Sequence, residues 1–160
     1  SNNHNAPPFL PLCTIPQIAH TYAYSESTYG ALNSRQLGIA ESTCSGVFGA
    51  APIGVPSPDG TLGRACFSID ALAQIAMERH HSAREAIIEM GDLAVRMGFY
   101  GAGYFEGTAE SLLVTDKEEA WVFHVVPDPT GASAIWAAQR VPDDGFVVVA
   151  NAFVIRDIDF

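Results

Sequence analysis

The sequence predicts an α+β fold, in which two adjacent helices lie over mainly antiparallel strands. Three observations support this: helical spacing in the middle of the chain, apolar strand-like runs after it, and a composition of 48% hydrophobic but only 16% charged residues. Such a composition suits one domain of 160 residues with a large core. We divide this single partial domain into five parts: an irregular arm (1–12), the first strands (15–43), a Gly/Pro loop (44–66), a helix pair (67–98) and the last strands (110–160).

The first third of the chain contains two predicted strands and a long loop. Residues 1–12 are polar, contain Pro and show no periodicity. Alternation from Gln17 to Tyr24 predicts a strand, and Leu37 to Thr43 form the next one. The stretch from Gly46 to Arg64 holds five Gly and three Pro, which favours a long ordered loop or the rim of a pocket.

The helix pair is predicted by capping residues and by apolar spacing. Ser68 is placed to cap the run IDALAQIAMERH, in which apolar residues recur at helical spacing. Ser82 and Glu85 form a capping box for the second helix, and Gly98 suits its C-terminal turn. The apolar positions are Ile69, Leu72, Ile75 and Ala76 in the first helix and Ile87, Met90, Ala94 and Met97 in the second.

After residue 110 the pattern changes to strands that are apolar almost without interruption. The four runs are SLLVTD, AWVFHVV, SAIWAAQ and FVVVANAFVI, at residues 111–116, 120–126, 133–139 and 146–155. The turn after Thr115 contains Asp116 before Lys-Glu-Glu, a common hairpin signal. A sheet facing water on one side would alternate, so we expect both faces to be covered, one by helices and one by another sheet.

The charge distribution excludes several classes of partner. The net charge is −10, with one Lys and seven Arg, whereas nucleic acids and anionic membrane surfaces require clustered cations. No apolar run approaches the roughly 18 to 20 residues that a membrane-spanning helix needs. We therefore expect neither nucleic acid binding nor membrane insertion.

The histidines and cysteines do not predict a metal site. His80 and His81 are adjacent, so on a helix their side chains diverge, and no second cluster supplies further ligands. His20 and His124 occur singly in predicted strands and are expected to be satisfied core residues. Cys13, Cys44 and Cys66 are not spaced as zinc ligands. Two states are open for Cys44 and Cys66: a disulfide across the Gly/Pro loop, or buried free thiols.

The most specific motif is ALNSRQLGIAESTCSG, from Ala31 to Gly46, where a short turn leads into a strand that ends in Glu-Ser-Thr-Cys. With IPQIAHTYAY upstream, it resembles the thiol dipeptidases typified by bacterial dipeptidase A and by secernins. In that family an Asn-Glu-His-(Gly/Gln)-Leu turn leads into a Gly-Glu-(Ser/Thr)-Thr strand. The blocks at 68–101 and 110–160 are similar too, so the resemblance covers nearly the whole chain.

This resemblance implies an N-terminal nucleophile hydrolase with an α-β-β-α sandwich. In such enzymes a Cys exposed by removal of a leader attacks an amide carbonyl, and its own α-amino group is the base. That Cys lies upstream of the matched region in the family, so we expect this chain to be an internal fragment. The expected partners are a small peptide substrate and the remainder of the same polypeptide or a complementary chain; a homo-oligomer is also open. No cofactor is implied.

The resemblance also suggests which residues act in catalysis. An oxyanion-hole residue at the end of the strand after the Asn turn corresponds to Ser42 or Thr43. Asn151 is a further candidate, because an amide on an apolar strand needs partners and can offer its NH₂ group to an oxyanion. The alternative for Asn151 is a strand-end residue that bonds its own backbone.

Three further residues are candidates for binding substrate. Asn33 lies in the family's turn, and Glu41 can bind the α-amine of a dipeptide or hydrogen-bond the adjoining loop. Arg156 can hold a substrate carboxylate, or it can pair with a neighbouring Asp.

The sequence departs from the family pattern in the turn and near its end. Ser34 and Arg35 replace the acidic and His positions of the turn, and Ala152 stands where a bulkier polar residue is common. A catalytically inactive, secernin-like subunit of a larger assembly is therefore the alternative function.

Overall fold

The computed structural model describes residues 12–27, 30–57, 59–101, 108–156 and 158. Within them, two helices pack on one face of a six-stranded antiparallel sheet, whose strands follow each other in chain order. The elements are β1 (Tyr24–Glu26), β2 (Gly30–Asn33), β3 (Gly38–Cys44), α1 (Ile69–Arg79), α2 (Ala83–Met97), β4 (Ala109–Thr115), β5 (Ala120–Pro127) and β6 (Ala134–Arg140). The predicted α+β class is confirmed.

Both helices begin at the predicted caps. The Ser68 hydroxyl accepts a hydrogen bond from the N–H of Ala71 at 3.3 Å, and the Ser82 hydroxyl accepts one from Glu85 at 3.5 Å. Gly98 ends α2 with a φ of +83°, and a Cβ there would lie 2.8 Å from a backbone atom. A residue without a side chain is therefore needed at this point, for both conformation and space.

The core lies between the helix pair and the sheet. Gly91 of α2 allows Trp136 of β6 to approach closely, because a Cβ at this position would lie 2.4 Å from the indole ring. The largest fully buried apolar side chains of this core are Phe99, Phe123, Leu37, Leu72, Met77, Met90, Leu112, Val114 and Val125. The helix layer is therefore fixed against the sheet by apolar contacts from every central strand.

The opposite face of the sheet carries a row of polar side chains. Ser42 on β3 is directly opposite Ser111 on β4, which in turn is opposite His124 on β5. Because side chains alternate along a strand, these three face away from the helices, whereas Glu41 and Thr43 lie on the helix side with the core residues.

Residues 146–155 form no strand, so the strand predicted there is wrong; the part from Val149 to Ile155 crosses this polar face. The Ser42 hydroxyl donates to the carbonyl of Val149 at 3.1 Å. The His124 Nε2 atom accepts from the N–H groups of residues 154 and 155 at 3.0 and 3.2 Å. Side chains of the sheet, and not a neighbouring strand, therefore supply these hydrogen bonds, while Phe146 and Val148 are left exposed. Within the described ranges there is one sheet and one helix pair.

The strand predicted from Gln17 to Tyr24 is also wrong, because β1 begins only at its last residue. Residues 12–23 are irregular and run beside the helix pair, where the N–H of Tyr22 donates to the carbonyl of Glu78 at 2.8 Å. His20 is exposed in this segment, so its predicted place in the core is wrong. Alternation alone does not show whether an extended segment meets a sheet edge or the end of a helix.

A disulfide between Cys13 and Cys66 fixes this N-terminal segment to the chain just before α1, with a Cα–Cα distance of 5.9 Å. Arg79 adds a hydrogen bond to the carbonyl of Pro16 at 2.7 Å. Cys44 is a buried free thiol, so a Cys44–Cys66 disulfide is wrong. The true partner of Cys66 depends on the path of an irregular segment, which the spacing of the cysteines does not encode.

Replacing Cys13 and Cys66 together by Ala should lower the free energy of unfolding by about 4 kcal/mol, the loop-closure value for a cross-link between residues 53 apart. Urea unfolding of the double variant and the wild type measures this difference. The same comparison under strong reductant is the control, because the two proteins should then unfold at nearly equal urea concentrations. Equal stability under oxidising conditions would contradict the prediction.

Candidate functional site

Among the described residues, no residue of β2 pairs with the C-terminal half of β3. Pairing between β2 and β3 ends at Ala40, whereas pairing between β3 and β4 continues to Cys44. The carbonyl of Leu37 points towards β2, since it accepts from the N–H of Asn33 at 2.9 Å. In a strand, alternate residues direct both their N–H and C=O to the same edge. The backbone groups of Thr43 therefore point to this open edge, beyond the end of the described β2 pairing.

Asn151 lies at this edge and bonds to β3. Its Nδ2 atom donates to the carbonyl oxygen of Thr43 at 2.9 Å. Its backbone has a φ of +52°, a left-handed conformation that Asn tolerates better than most residues. The Asn151 side chain is exposed to solvent although it makes this bond. The structure thus brings Asn151 together with the end of β3, two sites that are 108 residues apart in sequence.

The hydroxyl groups of Ser42 and Thr43 are engaged in other hydrogen bonds. Ser42 donates to the carbonyl of Val149, and Thr43 donates to Oε1 of Glu41 at 2.6 Å. Glu41 is half-buried beside Thr43, on the helix side of the sheet. The sequence left open whether Ser42 or Thr43 supplies a donor and which of its groups does so. The Asn33–Leu37 turn could have indicated the backbone donor, because it fixes to which edge of β3 the N–H and C=O groups of each later residue point.

Asn33 is 4% exposed and uses its whole amide within the fold. Its Nδ2 atom donates to the carbonyls of Met77 and His80 at 2.9 and 2.8 Å. Its Oδ1 atom accepts from the N–H groups of Arg35 and Leu37 at 2.9 and 3.0 Å. These four bonds close the β2–β3 turn and bind the C-terminus of α1 to it, so they give Asn33 a structural role.

Arg156 is exposed and directly follows the two residues that bond to His124. It therefore lies with the segment that covers the polar face, whereas the side chain of Glu41 lies on the helix face. The structure does not place these two candidates side by side. The expected pairing of Arg156 with Asp157 or Asp159 involves residues outside the described ranges.

The three cysteines of the chain are poor nucleophiles. Cys13 and Cys66 form the disulfide. Burial raises the pKa of the Cys44 thiol to about 11, and the carboxylates of Glu110 and Glu41 act in the same direction. Since the thiolate is the reactive form, Cys44 is almost wholly unreactive at neutral pH.

Comparison with known proteins identifies the family. The model of peptidase family C69 matches residues 25–160, from β1 through the segment that covers the polar face. The chain belongs to peptidase family C69. This confirms the thiol dipeptidase resemblance of the Ala31–Gly46 motif.

A curated relative also matches part of the chain. A probable dipeptidase of Latilactobacillus sakei is 33% identical over 91 residues, which cover 57% of this chain and 17% of that protein. The chain therefore spans only a small part of the relative's length.

A cleft of about 750 Å³ opens at the end of the C69 sheet where β3 ends and β4 begins. The Gly/Pro loop forms one wall, and Tyr100, Thr108 and the turn at 129–131 form the others. Thr108 holds the loop in place, because its Oγ1 atom accepts from the N–H of Gly46 at 2.9 Å. The loop thus borders a pocket at the same end of the sheet as Thr43 and Asn151.

The acidic and His side chains near the helix junction contact one another. His80 contacts the carboxylates of Glu85 and Glu89. Across the described residues, no three His, Cys, Asp or Glu side chains are grouped to hold a metal ion. In the same part of the chain, no helix is long and apolar enough to cross a membrane.

Proposed function

We propose that this C69 chain is part of a cysteine-nucleophile dipeptidase that hydrolyses small peptides, and that it supplies the oxyanion hole and substrate contacts. The family match and the relative named as a probable dipeptidase support this activity. The nucleophile comes from a Cys outside these 160 residues, because Cys13 and Cys66 are cross-linked and Cys44 is buried and protonated.

The hydrogen bond from Asn151 Nδ2 to the carbonyl of Thr43 carries this proposal. An Asn amide has two N–H groups, and this bond uses one of them. The N–H of Thr43 points to the same edge, so a backbone donor and a side-chain donor meet there. A carbonyl oxygen placed between them would gain two hydrogen bonds as it becomes an oxyanion, each worth about 3 to 4 kcal/mol in the transition state.

The reaction assigned to this site is acyl transfer. The sulfur of the external Cys forms a bond to the scissile carbonyl carbon, and its proton passes to the α-amino group of that Cys. The carbonyl oxygen becomes the oxyanion between Thr43 and Asn151. Collapse of this intermediate breaks the C–N bond, the amine leaves with the proton, and water then releases the acyl group.

Charged residues near the site suit the two termini of a short peptide. Glu41 offers a carboxylate to the substrate α-ammonium group, and the Thr43 hydroxyl fixes its orientation through Oε1. Arg156 offers an exposed guanidinium to the substrate carboxylate. Since Glu41 and Arg156 approach from opposite faces of the sheet, the peptide would cross the open edge of β3 between them.

Alkylation of the complete protein with iodoacetamide tests the proposal. We expect loss of dipeptide hydrolysis in parallel with modification of one Cys other than Cys13, Cys44 and Cys66, located by peptide mass spectrometry. A Cys44→Ala variant should retain full kcat, because the buried thiol takes no part. Inactivation that tracks modification of Cys44, or full activity after complete alkylation, would contradict a nucleophile outside this chain.

A catalytically inactive, secernin-like subunit is the second candidate. The altered turn favours it, since Ser34 and Arg35 are exposed where the family has acidic and His residues, and Arg35 lies over the ring of Tyr22 at 5.5 Å. The same assay separates the two functions, because a folded complete protein without dipeptide hydrolysis would favour the subunit.

A further inference from the structure

We propose that His124 is a positioning residue that holds Asn151 at the open edge of β3. The proposal rests on the proposed function, since it concerns the oxyanion donor of that site. It concerns a residue that lies two strands away from Thr43 and that the family resemblance does not single out.

The contacts of His124 all go to the covering segment. Its Nε2 atom accepts two consecutive backbone N–H groups, those of Val154 and Ile155, at 3.0 and 3.2 Å. The ring of Phe153 packs against the imidazole edge-on, with centroids 5.0 Å apart. His124 is 6% exposed, so these bonds are shielded from water. One side chain therefore fixes three successive residues of a segment that has no strand partner to hold it.

Asn151 lies between two points at which the covering segment is hydrogen-bonded to the sheet, which we call anchors. The segment is fixed to Ser42 at Val149 and to His124 at residues 154 and 155. Ser42 and His124 are two strands apart on the same row, a distance of about 10 Å. Five extended residues would span about 17 Å, so the chain between the anchors must bend. The bend occurs at Asn151, where φ is +52° and the amide turns towards Thr43.

The two hydrogen bonds that His124 accepts require a neutral imidazole. Because Nε2 accepts, the ring proton is on Nδ1, a buried atom with no hydrogen-bond partner among the described residues. Burial lowers the pKa of His124 below its usual 6.5. Among the described residues, Cys44 shares this face of the sheet and Arg156 directly follows the bonded Ile155, whereas Glu41 and Glu110 lie on the helix side. Protonation would therefore abolish both bonds, because the Nε2 atom of an imidazolium donates and does not accept.

The sign of the pH effect follows from the lowered pKa of His124. The unfolded chain takes up the proton first, so the contribution of this anchor is complete above about pH 6.5. It is lost as the pH falls through the lower pKa of the folded state. Below that range the segment should detach and Asn151 should leave the edge of β3.

Two variants of the complete protein test this role. His124→Leu keeps the volume but removes the acceptor, and His124→Gln places an amide oxygen near the position of Nε2. We expect His124→Leu to lose hydrogen-exchange protection at the amides of Val154 and Ile155, and kcat to fall about 100-fold with KM little changed, as a small misplacement of a catalytic group can cause. His124→Gln should restore part of both, and, unlike the wild type, it should keep its exchange protection at these two amides as the pH falls through the lowered pKa of His124.

Ser111→Ala is the matched control, because Ser111 is buried on the same row and its hydroxyl has no partner among the described residues. It should leave both protection and kcat unchanged. Retained protection and wild-type kcat in His124→Leu would overturn the inference. A wild-type protein without dipeptidase activity would refute the proposed function alone, because hydrogen exchange still reports whether His124 holds the segment.

Discussion

Replacing Asn151 by Gly is expected to lower kcat by about 100- to 1,000-fold with little change in KM. Gly keeps the left-handed backbone that this position requires, with a φ of +52°, and removes only the amide. The loss should appear in kcat because the donor acts on charge that develops in the transition state. Steady-state hydrolysis of a dipeptide by the complete protein measures it.

Asn151→Asp sharpens this test. The carboxylate has nearly the same shape and tolerates the same backbone, but it replaces two N–H donors by acceptors that repel an oxyanion. Its kcat should be at least as low as that of Asn151→Gly. Gln139→Ala is the control, because it removes an exposed amide from β6 and should change neither constant. A normal kcat with a raised KM in Asn151→Gly would instead assign Asn151 to substrate binding.

Replacing Asn33 by Ala should lower the free energy of unfolding by about 3 to 5 kcal/mol, the largest stability effect we expect from a single substitution here. The change removes four hydrogen bonds and leaves two carbonyls at the end of α1 and two N–H groups in the turn without their partner. Urea unfolding of the variant and the wild type measures the loss.

Two comparisons separate the structural role of Asn33 from a substrate role. Ser34→Ala changes the exposed neighbour and should shift stability by less than about 0.5 kcal/mol. Asn33→Asp keeps the acceptor for the turn but loses the donors to α1, so its stability should fall between wild type and Asn33→Ala. Unchanged stability with a raised KM in Asn33→Ala would support substrate binding and contradict the structural account.

Local signals predicted the helices and the central strands. Ser68 and Ser82 are caps whose partners lie three residues away, so the relevant contacts are encoded nearby in sequence. The turn at Asp116 is also local: its carboxylate accepts from the N–H groups of Glu118 and Glu119. These bonds and one from Ala83 lower the pKa of Asp116, although burial acts to raise it.

The segments at the two ends were mispredicted because their partners are distant. The run at 146–155 is apolar enough for a strand, but its hydrogen bonds go to Ser42 and His124 across a sheet face. The N-terminal segment is fixed by the disulfide to Cys66, by the carbonyl of Glu78 and by the side chain of Arg79. Neither arrangement leaves a periodic signal in the sequence.

The candidate residues came from the sequence. The motif indicated Glu41, Ser42 and Thr43, and the argument that an amide on an apolar strand needs partners indicated Asn151, which in the structure is exposed and lies outside any strand. That these residues meet depends on the edge of β3 beyond the described β2 pairing, and on the path of a segment held by His124. The sequence therefore indicated candidates, whereas proposing the Thr43 backbone N–H as the donor needed the register of the sheet.

A crystal structure of the complete protein with a dipeptide aldehyde would test the central claim most directly. The thiolate of the nucleophile adds to the aldehyde carbon, and the resulting oxygen occupies the position of the oxyanion. We predict that this oxygen lies about 3 Å from both Asn151 Nδ2 and the backbone nitrogen of Thr43. An adduct whose oxygen is bound by other donors, with Asn151 still bonded only to the Thr43 carbonyl, would contradict the assignment of the oxyanion hole to this chain.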